Sequence, residues 1–477
     1  MNGFRNFILV AITVSAFAAT GQTVQSAPGY AHEGPTLISG VSIIDGLGNG
    51  PVADRDILLV NGKISAIGVA GSLDAPEGAL VIDGAGLTAM PGLMDLHIHT
   101  QGGWANGVIP GEKYAPSYED EDVQQRLSGY VYAGVTTVLD TGADHNWVVN
   151  TRNRINSGDL FGPRHFTTGV AWSSAPSGWD AGNTSGGDWA KSTIVGDLSD
   201  LPEQVAKYKS DGIDILKAYA GIGTVGLQAL VAEADKQGMQ VIADLWMLNL
   251  NKQISQTTGL HGWAHTGGFD VAPAEDHEWM ADNDRFVVAT VILGELLAAG
   301  RVADEGGSRA MLDEPLIVDI WGHDTVEEFY TVYPQIRDNY YDGKLAFYQL
   351  NNFGNMARFR PNMQENARRA IEAGVLLGCG TDDVYPGAWP GESTHREMQL
   401  MVMGGVEPLK AIKACTYDSA RILKREDEFG SIQVGLSADI LLVKGNPAEN
   451  IDDTRNVQEV FLQGKQVDRA SLVISKE

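Results

Sequence analysis

"PGLMDLHIHT", residues 91–100, sets two histidines, His97 and His99, one residue apart at the end of an apolar run, just before a Gly-rich stretch, "QGGWANG". Along a strand the side chains at i and i+2 leave from the same face, so this pair points together at whatever lies beyond the strand end. Paired imidazoles in that setting are candidate metal ligands. Two polar residues that happen to close a strand are the plainer alternative.

Working outward, the segment from about residue 91 to 428 alternates β-branched runs with helical patterns. After the opening run come "GVTTVLDTG" (134–142), "RHFTTGVAW" (164–172), "IDILKAYAG" (213–221), "QVIADLW" (240–246), "GWAHTGG" (262–268), "RFVVATV" (285–291) and "VLLGCGTDD" (375–383). "LPEQVAKYKSDG" and "TVGLQALVAEADKQG" have apolar residues at helical spacing and end in glycine. Eight such units in about 340 residues predict an α/β fold, an elaborated (β/α)8 TIM barrel with its active site at the C-terminal strand ends. Short strands also fill residues 36–68, with a hairpin signal at Asn61-Gly62, and recur after residue 429. Neither end is large enough to stand alone, so residues 35–90 and 429–477 are expected to build one small β-sandwich domain around the inserted barrel of residues 91–428.

The 477 residues, 43% hydrophobic, suffice for one large core and a smaller one. A net charge of -27 argues against nucleic acid and anionic membranes as partners and suits a soluble surface. The start, "MNGFR" followed by "NFILVAITVSAFAA", reads as a signal peptide over residues 1–27, removed to leave an exported, periplasmic or secreted protein with no membrane anchor. A small-molecule substrate is the expected partner, and a homo-oligomer is compatible with the sequence. The two cysteines, Cys379 and Cys415, read as buried free thiols rather than a bridge.

The chemistry-bearing residues fall at corresponding places. His97 and His99 end strand 1, Lys217 lies in strand 4, His265 ends strand 6 and Asp382 ends strand 8. The ordered stretches "MPGLMDLHIHT", "AGVTTVLDTG", "ILKAYAG", "GTDD", "HREMQL" and "GSIQVGLSADILLVKGNP" resemble the amidohydrolase superfamily, more narrowly its imidazolonepropionase-like and Xaa-Pro-dipeptidase-like members. The likeness covers nearly everything after the signal. It implies an enzyme with one or two divalent metal ions, zinc before manganese or iron, held by His97, His99, Lys217, His265 and Asp382. It also implies that Lys217 is carbamylated by carbon dioxide, which turns an ammonium that would repel a metal into a bridging anion.

One position departs from that pattern. Strand 5 has no histidine, and Asp244 stands at the expected ligand site. It serves either as an oxygen ligand beside His265, or as the salt-bridge partner of Lys217 next to a single metal. The expected reaction is hydrolysis of an amide-type carbon–nitrogen bond in an N-acyl amino acid, dipeptide or cyclic amide, by metal-activated hydroxide with Asp382 as catalytic proton shuttle. The alternatives are a deaminase, a lactonase or esterase, or a binding protein without turnover. Tyr219, Trp246 and His395 are candidate substrate contacts. Trp104, Trp172, Trp179 and Trp389 are candidate rim residues, and His145, His165, His261, His277 and His323 are expected to be solvated loop or edge residues. Residues 292–360 are a candidate lid or subunit contact.

Overall fold

The computed structural model describes residues 29–102, 117–173, 193–194, 197–219, 221–245, 250–297, 309–341, 358–385 and 387–473. The expected signal peptide, Trp104, Trp179 and Trp246 lie outside them. No helix among the described residues is long and apolar enough to cross a membrane.

The chain begins with strands β1 (Tyr30–His32), β2 (Thr36–Ile43), β3 (Val52–Val60), β4 (Lys63–Val69), β5 (Leu80–Asp83) and β6 (Leu87–Pro91). The β3–β4 hairpin turns on Asn61 and Gly62, with φ of 51° and 78°. Both central residues of the tightest hairpin need positive φ, which is why the Asn-Gly pair signals it. The other strands are β7 (Leu93–Ile98), β8 (Val135–Asp140), β9 (Arg164–Thr167), β10 (Trp172–Ser173), β11 (Thr193–Ile194), β12 (Ile215–Tyr219), β13 (Gln240–Asp244), β14 (Gly262–Trp263), β15 (Phe286–Ala289), β16 (Leu376–Cys379), β17 (Ile440–Lys444), β18 (Val457–Leu462) and β19 (Lys465–Val467).

The two ends of the chain share one nine-stranded sheet, in the order β1-β19-β18-β17-β6-β2-β3-β4, with β5 paired to β2. Its core draws on both ends: Ile38, Ile57 and Leu59 pack with Ile440, Leu442 and Phe461. Between them lie two parallel sheets, β7-β8-β9 and β11-β10-β12-β13-β14-β15-β16. Central strands are apolar on both faces, as in β15, "FVVA", where all four residues are buried. Backbone bonds join these sheets at two places: Asp214 N donates to Thr167 O at 3.0 Å, and Asp382 N donates to His97 O at 2.7 Å. Helices Leu201–Ser210 and Gly223–Gln237 stand where the apolar spacing puts them.

Several expectations need correction. Cys379 and Cys415 form a disulfide between the end of β16 and the turn Ala414–Asp418. Sequence distance hid this pairing, because only packing brings their Cα atoms to 4.6 Å. Trp172 is fully buried, and Trp389 packs edge-on to Phe329 in a core cluster, so neither lines a rim. His165 and His277 are buried rather than solvated.

Candidate metal centre

Strand β7 delivers the first two candidate ligands through an irregularity. Its register with β8 shifts between Asp95 and Ile98. Met94 and Leu96 pack in the cluster holding Leu139, Ile215, Ile242 and Val288, whereas Ile98 joins the cluster that includes the helices. The bulge thus re-aims the strand end. His97 and His99 emerge there, with ring centroids 5.7 Å apart. Asp382 arrives at the same C-terminal end from the loop after β16. Its φ of 52° is left-handed, a conformation aspartate tolerates better than most residues. Gly380 permits the approach, since a Cβ there would lie 2.7 Å from His97 Cβ.

The six expected ligands come together. His97, His99 and Asp382 form one group of donor atoms within 4.8 Å of one another, and His97, Asp244 and His265 form a second. His99 Nε2 and His265 Nε2 each stand 3.4 Å from a carboxylate oxygen, of Asp382 and Asp244 respectively, and His97 Nε2 lies 3.7 Å from Asp382. These separations exceed a good hydrogen bond. They match donors around a common ion, because two ligand atoms each about 2.1 Å from a tetrahedral ion stand about 3.4 Å apart.

The remaining ring nitrogens support the same fit. Nδ1 of His97 faces Ala264 O at 3.2 Å, Nδ1 of His99 faces Gly142 O at 2.8 Å, and Nδ1 of His265 faces Thr290 Oγ1 at 2.7 Å. Such partners orient a ligating imidazole and leave Nε2 for the metal. Burial, then the Lys217 charge, hold the His97 imidazole well below its ordinary pKa, the direction that favours the neutral form able to bind a metal. Burial alone would raise the Asp382 carboxyl, but the imidazoles around it, with a hydrogen bond from His99, outweigh this and hold it below its usual range.

Lys217 Nζ lies 3.1 Å from Asp244 Oδ2 and 3.4 Å from His97 Nε2. Asp244 therefore faces His265 with one oxygen and Lys217 with the other, and the burial that would raise its carboxyl is outweighed by Lys217. Elemental analysis separates its two roles. If Asp244 is a ligand, Asp244→Ala should drop from two ions per chain toward one. An unchanged count of one in both proteins would make it the salt-bridge partner of Lys217 beside a mononuclear site.

Of the candidate substrate contacts, Tyr219 ends β12 next to the centre, with Lys217 Nζ 5.5 Å from its ring. Trp246 falls outside the described residues. His395 is placed elsewhere: it is buried, with Nε2 on Ala133 O at 2.8 Å and Nδ1 on Thr454 Oγ1 at 2.9 Å. Both nitrogens are spent on the protein, which ties helix Glu392–Met403 to its neighbours and corrects its assignment as a substrate contact.

Sequence reasoning missed the residues behind the ligands. Asp95 accepts from His97 N, Thr381 N, Thr381 Oγ1 and Thr394 Oγ1, linking β7 to the chain after β16. Burial, with Asp383 nearby, pushes its carboxyl up to about 8. Asp383 accepts from His99 N at 3.1 Å and from the Tyr130 hydroxyl. Position i-2 from His97 was the available signal for Asp95, and adjacency to Asp382 was the one for Asp383. Tyr130 carried none.

Residues 88–467 match the family model described as "Amidohydrolase family". An enamidase of Eubacterium barkeri is 34% identical over 112 residues, 23% of this chain and 26% of the enamidase. An imidazolonepropionase of Geobacillus sp. (strain WCH70) is 38% identical over 78 residues, 16% of this chain and 18% of that protein. The chain thus aligns with about a quarter or less of the length of these relatives. Among solved structures, a putative prolidase from Bifidobacterium longum superposes with a TM-score of 0.68 at 22% identity, covering 92% of this chain and 95% of its own. A Xaa-Pro dipeptidase with bound methionine gives 0.67 at 24% identity, covering 91% and 99%. At these identities the likeness concerns the fold.

Proposed function

The chain belongs to the Amidohydrolase family, and from that premise we propose that it is a metal-dependent hydrolase of an amide-type carbon–nitrogen bond. The substrate class is an N-acyl amino acid, a dipeptide or a cyclic amide. One observation carries the reading: imidazole nitrogens and carboxylate oxygens from β7, β13 and the loops after β14 and β16 stand at ion-sharing separations. An enamidase among the relatives and a putative prolidase among the structural neighbours support the class.

His97, His99 and Asp382 would hold one divalent ion, and Asp244 and His265, with His97 in reach, a second. Zinc is the first expectation, with manganese or iron next, given the mixed nitrogen and oxygen donors. When bound, such an ion polarises a carbonyl and acidifies water. Asp382, ionised and flanked by imidazoles, is placed to take a proton from the attacking water and return it to the leaving nitrogen. Carbamylated Lys217 remains the family-derived reading. The alternative is an unmodified lysine paired with Asp244, whose Oδ2 lies 3.1 Å from Nζ. Native mass spectrometry separates them by the added mass of one carbon dioxide.

The finer architecture we infer is a (β/α)8 barrel over residues 91–428 beside the composite β domain, supported by the backbone bonds that join the two parallel sheets. Export of the mature chain rests on the apolar N-terminal run. The zinc-loaded protein is expected to release free amine from at least one of N-acyl amino acids, Xaa-Pro dipeptides and cyclic amides, with a chelator abolishing the release and added metal restoring it. Ammonia from aminated rings, or opening of lactones, would move the reaction to the alternative chemistries. Ligand binding without turnover across the whole panel would make the chain a binding protein.

A further inference from the structure

Helix α1 (Asp120–Tyr132) carries two residues one turn apart, Arg126 and Tyr130, that face the segments after β7 and after β16 respectively. Arg126 lies against Gly102, where any Cβ would collide with its guanidinium, and Gly102 N in turn donates to His99 O at 2.8 Å. Tyr130, 1% exposed, donates its hydroxyl to Asp383 Oδ2. The other oxygen of Asp383 accepts from His99 N at 3.1 Å. Asp383 is covalently next to Asp382, so one carboxylate ties the backbone of a β7 ligand to the chain that delivers the ligand from after β16.

We propose that Tyr130 is a positioning residue for the metal centre: by locking the rotamer of Asp383, its hydroxyl holds His99 and Asp382 at a separation that fits one ion. The proposal rests on the metal-centre reading above. A free carboxylate can swing through several rotamers, whereas this one is held at both oxygens beside the 3.4 Å spacing between His99 Nε2 and Asp382 Oδ1. Tyr130 touches neither ligand and acts through Asp383.

The experiment is zinc affinity, by competition with a chromophoric chelator, on the full chain and on Tyr130→Phe, Asp383→Ala and the double variant, with thermal melting of each. Tyr130→Phe keeps the ring and its packing. It should weaken zinc binding by about 10–100-fold, the usual cost of losing a group behind a ligand. Because both residues act in one chain of contacts, the double variant should bind no more weakly than Asp383→Ala alone. Tyr130→Phe with wild-type affinity, or losses that add in the double variant, would overturn the role of Tyr130. Losses that merely follow the melting temperatures across the set would make it structural, which also overturns the proposal. A wild-type chain that takes up no zinc fails differently: it removes the metal-centre reading itself, and this proposal with it.

Discussion

Asp382→Asn should leave the fold intact while cutting hydrolysis by about a hundred- to ten-thousand-fold, the range over which general acid–base groups contribute. Residue 382 has a left-handed φ of 52°, and its N–H donates to His97 O. Asparagine enters that region nearly as readily as aspartate and keeps the backbone bond, so the melting temperature should hardly move. It retains an oxygen toward the ion but cannot carry a proton at neutral pH. Asp382→Ala loses the activity too and should also be less stable, since alanine in this region costs about 1–2 kcal/mol. Measuring kcat and melting on both variants tests the assignment. An Asn variant with near wild-type kcat would remove Asp382 as the proton shuttle.

The second large effect concerns His97, which belongs to both donor groups. His99 and His265 each serve one. In His99→Asn or His265→Asn, one bound ion should be lost and the other kept. In His97→Asn, both should weaken together, leaving well under one ion per chain at the same zinc concentration. The imidazole is fully buried and stacked on His265 at 4.8 Å, so asparagine is chosen over alanine to limit the cavity. Elemental analysis of the three variants, prepared side by side, decides the matter. If His97→Asn keeps one ion as the other two do, the groups are independent and His97 serves only one of them.

How much of this could be read from the chain depends on the range of the signal. The candidate ligand set was legible because each member ends or lies in a β-branched run with its own local pattern, from "DLHIHT" to "GTDD". Asp244 was legible by position, but the sequence left its partner open. The structure places it within reach of both Lys217 and His265, which explains why either reading was defensible. His395 misled because a histidine beside the strand-8 motif looks like part of the site, whereas the turn of its helix sends the ring toward Ala133 and Thr454.

By itself the sequence determined the alternation of strands and helices, the pairing of Asn61 with Gly62 at a hairpin, and the kinds of side chain offered at the strand ends. These follow from periodicity and residue chemistry within a few positions. Tertiary structure alone decided the bulge that aims His97 and His99, the disulfide across 36 residues, the sharing of His97 between two donor groups, and the hold of Tyr130 on Asp383 across 253 residues. Such contacts arise when helices and strands far apart in the chain pack to bury their apolar faces. A polar group caught in that packing must then find its partner in the fold, wherever the chain happens to bring one.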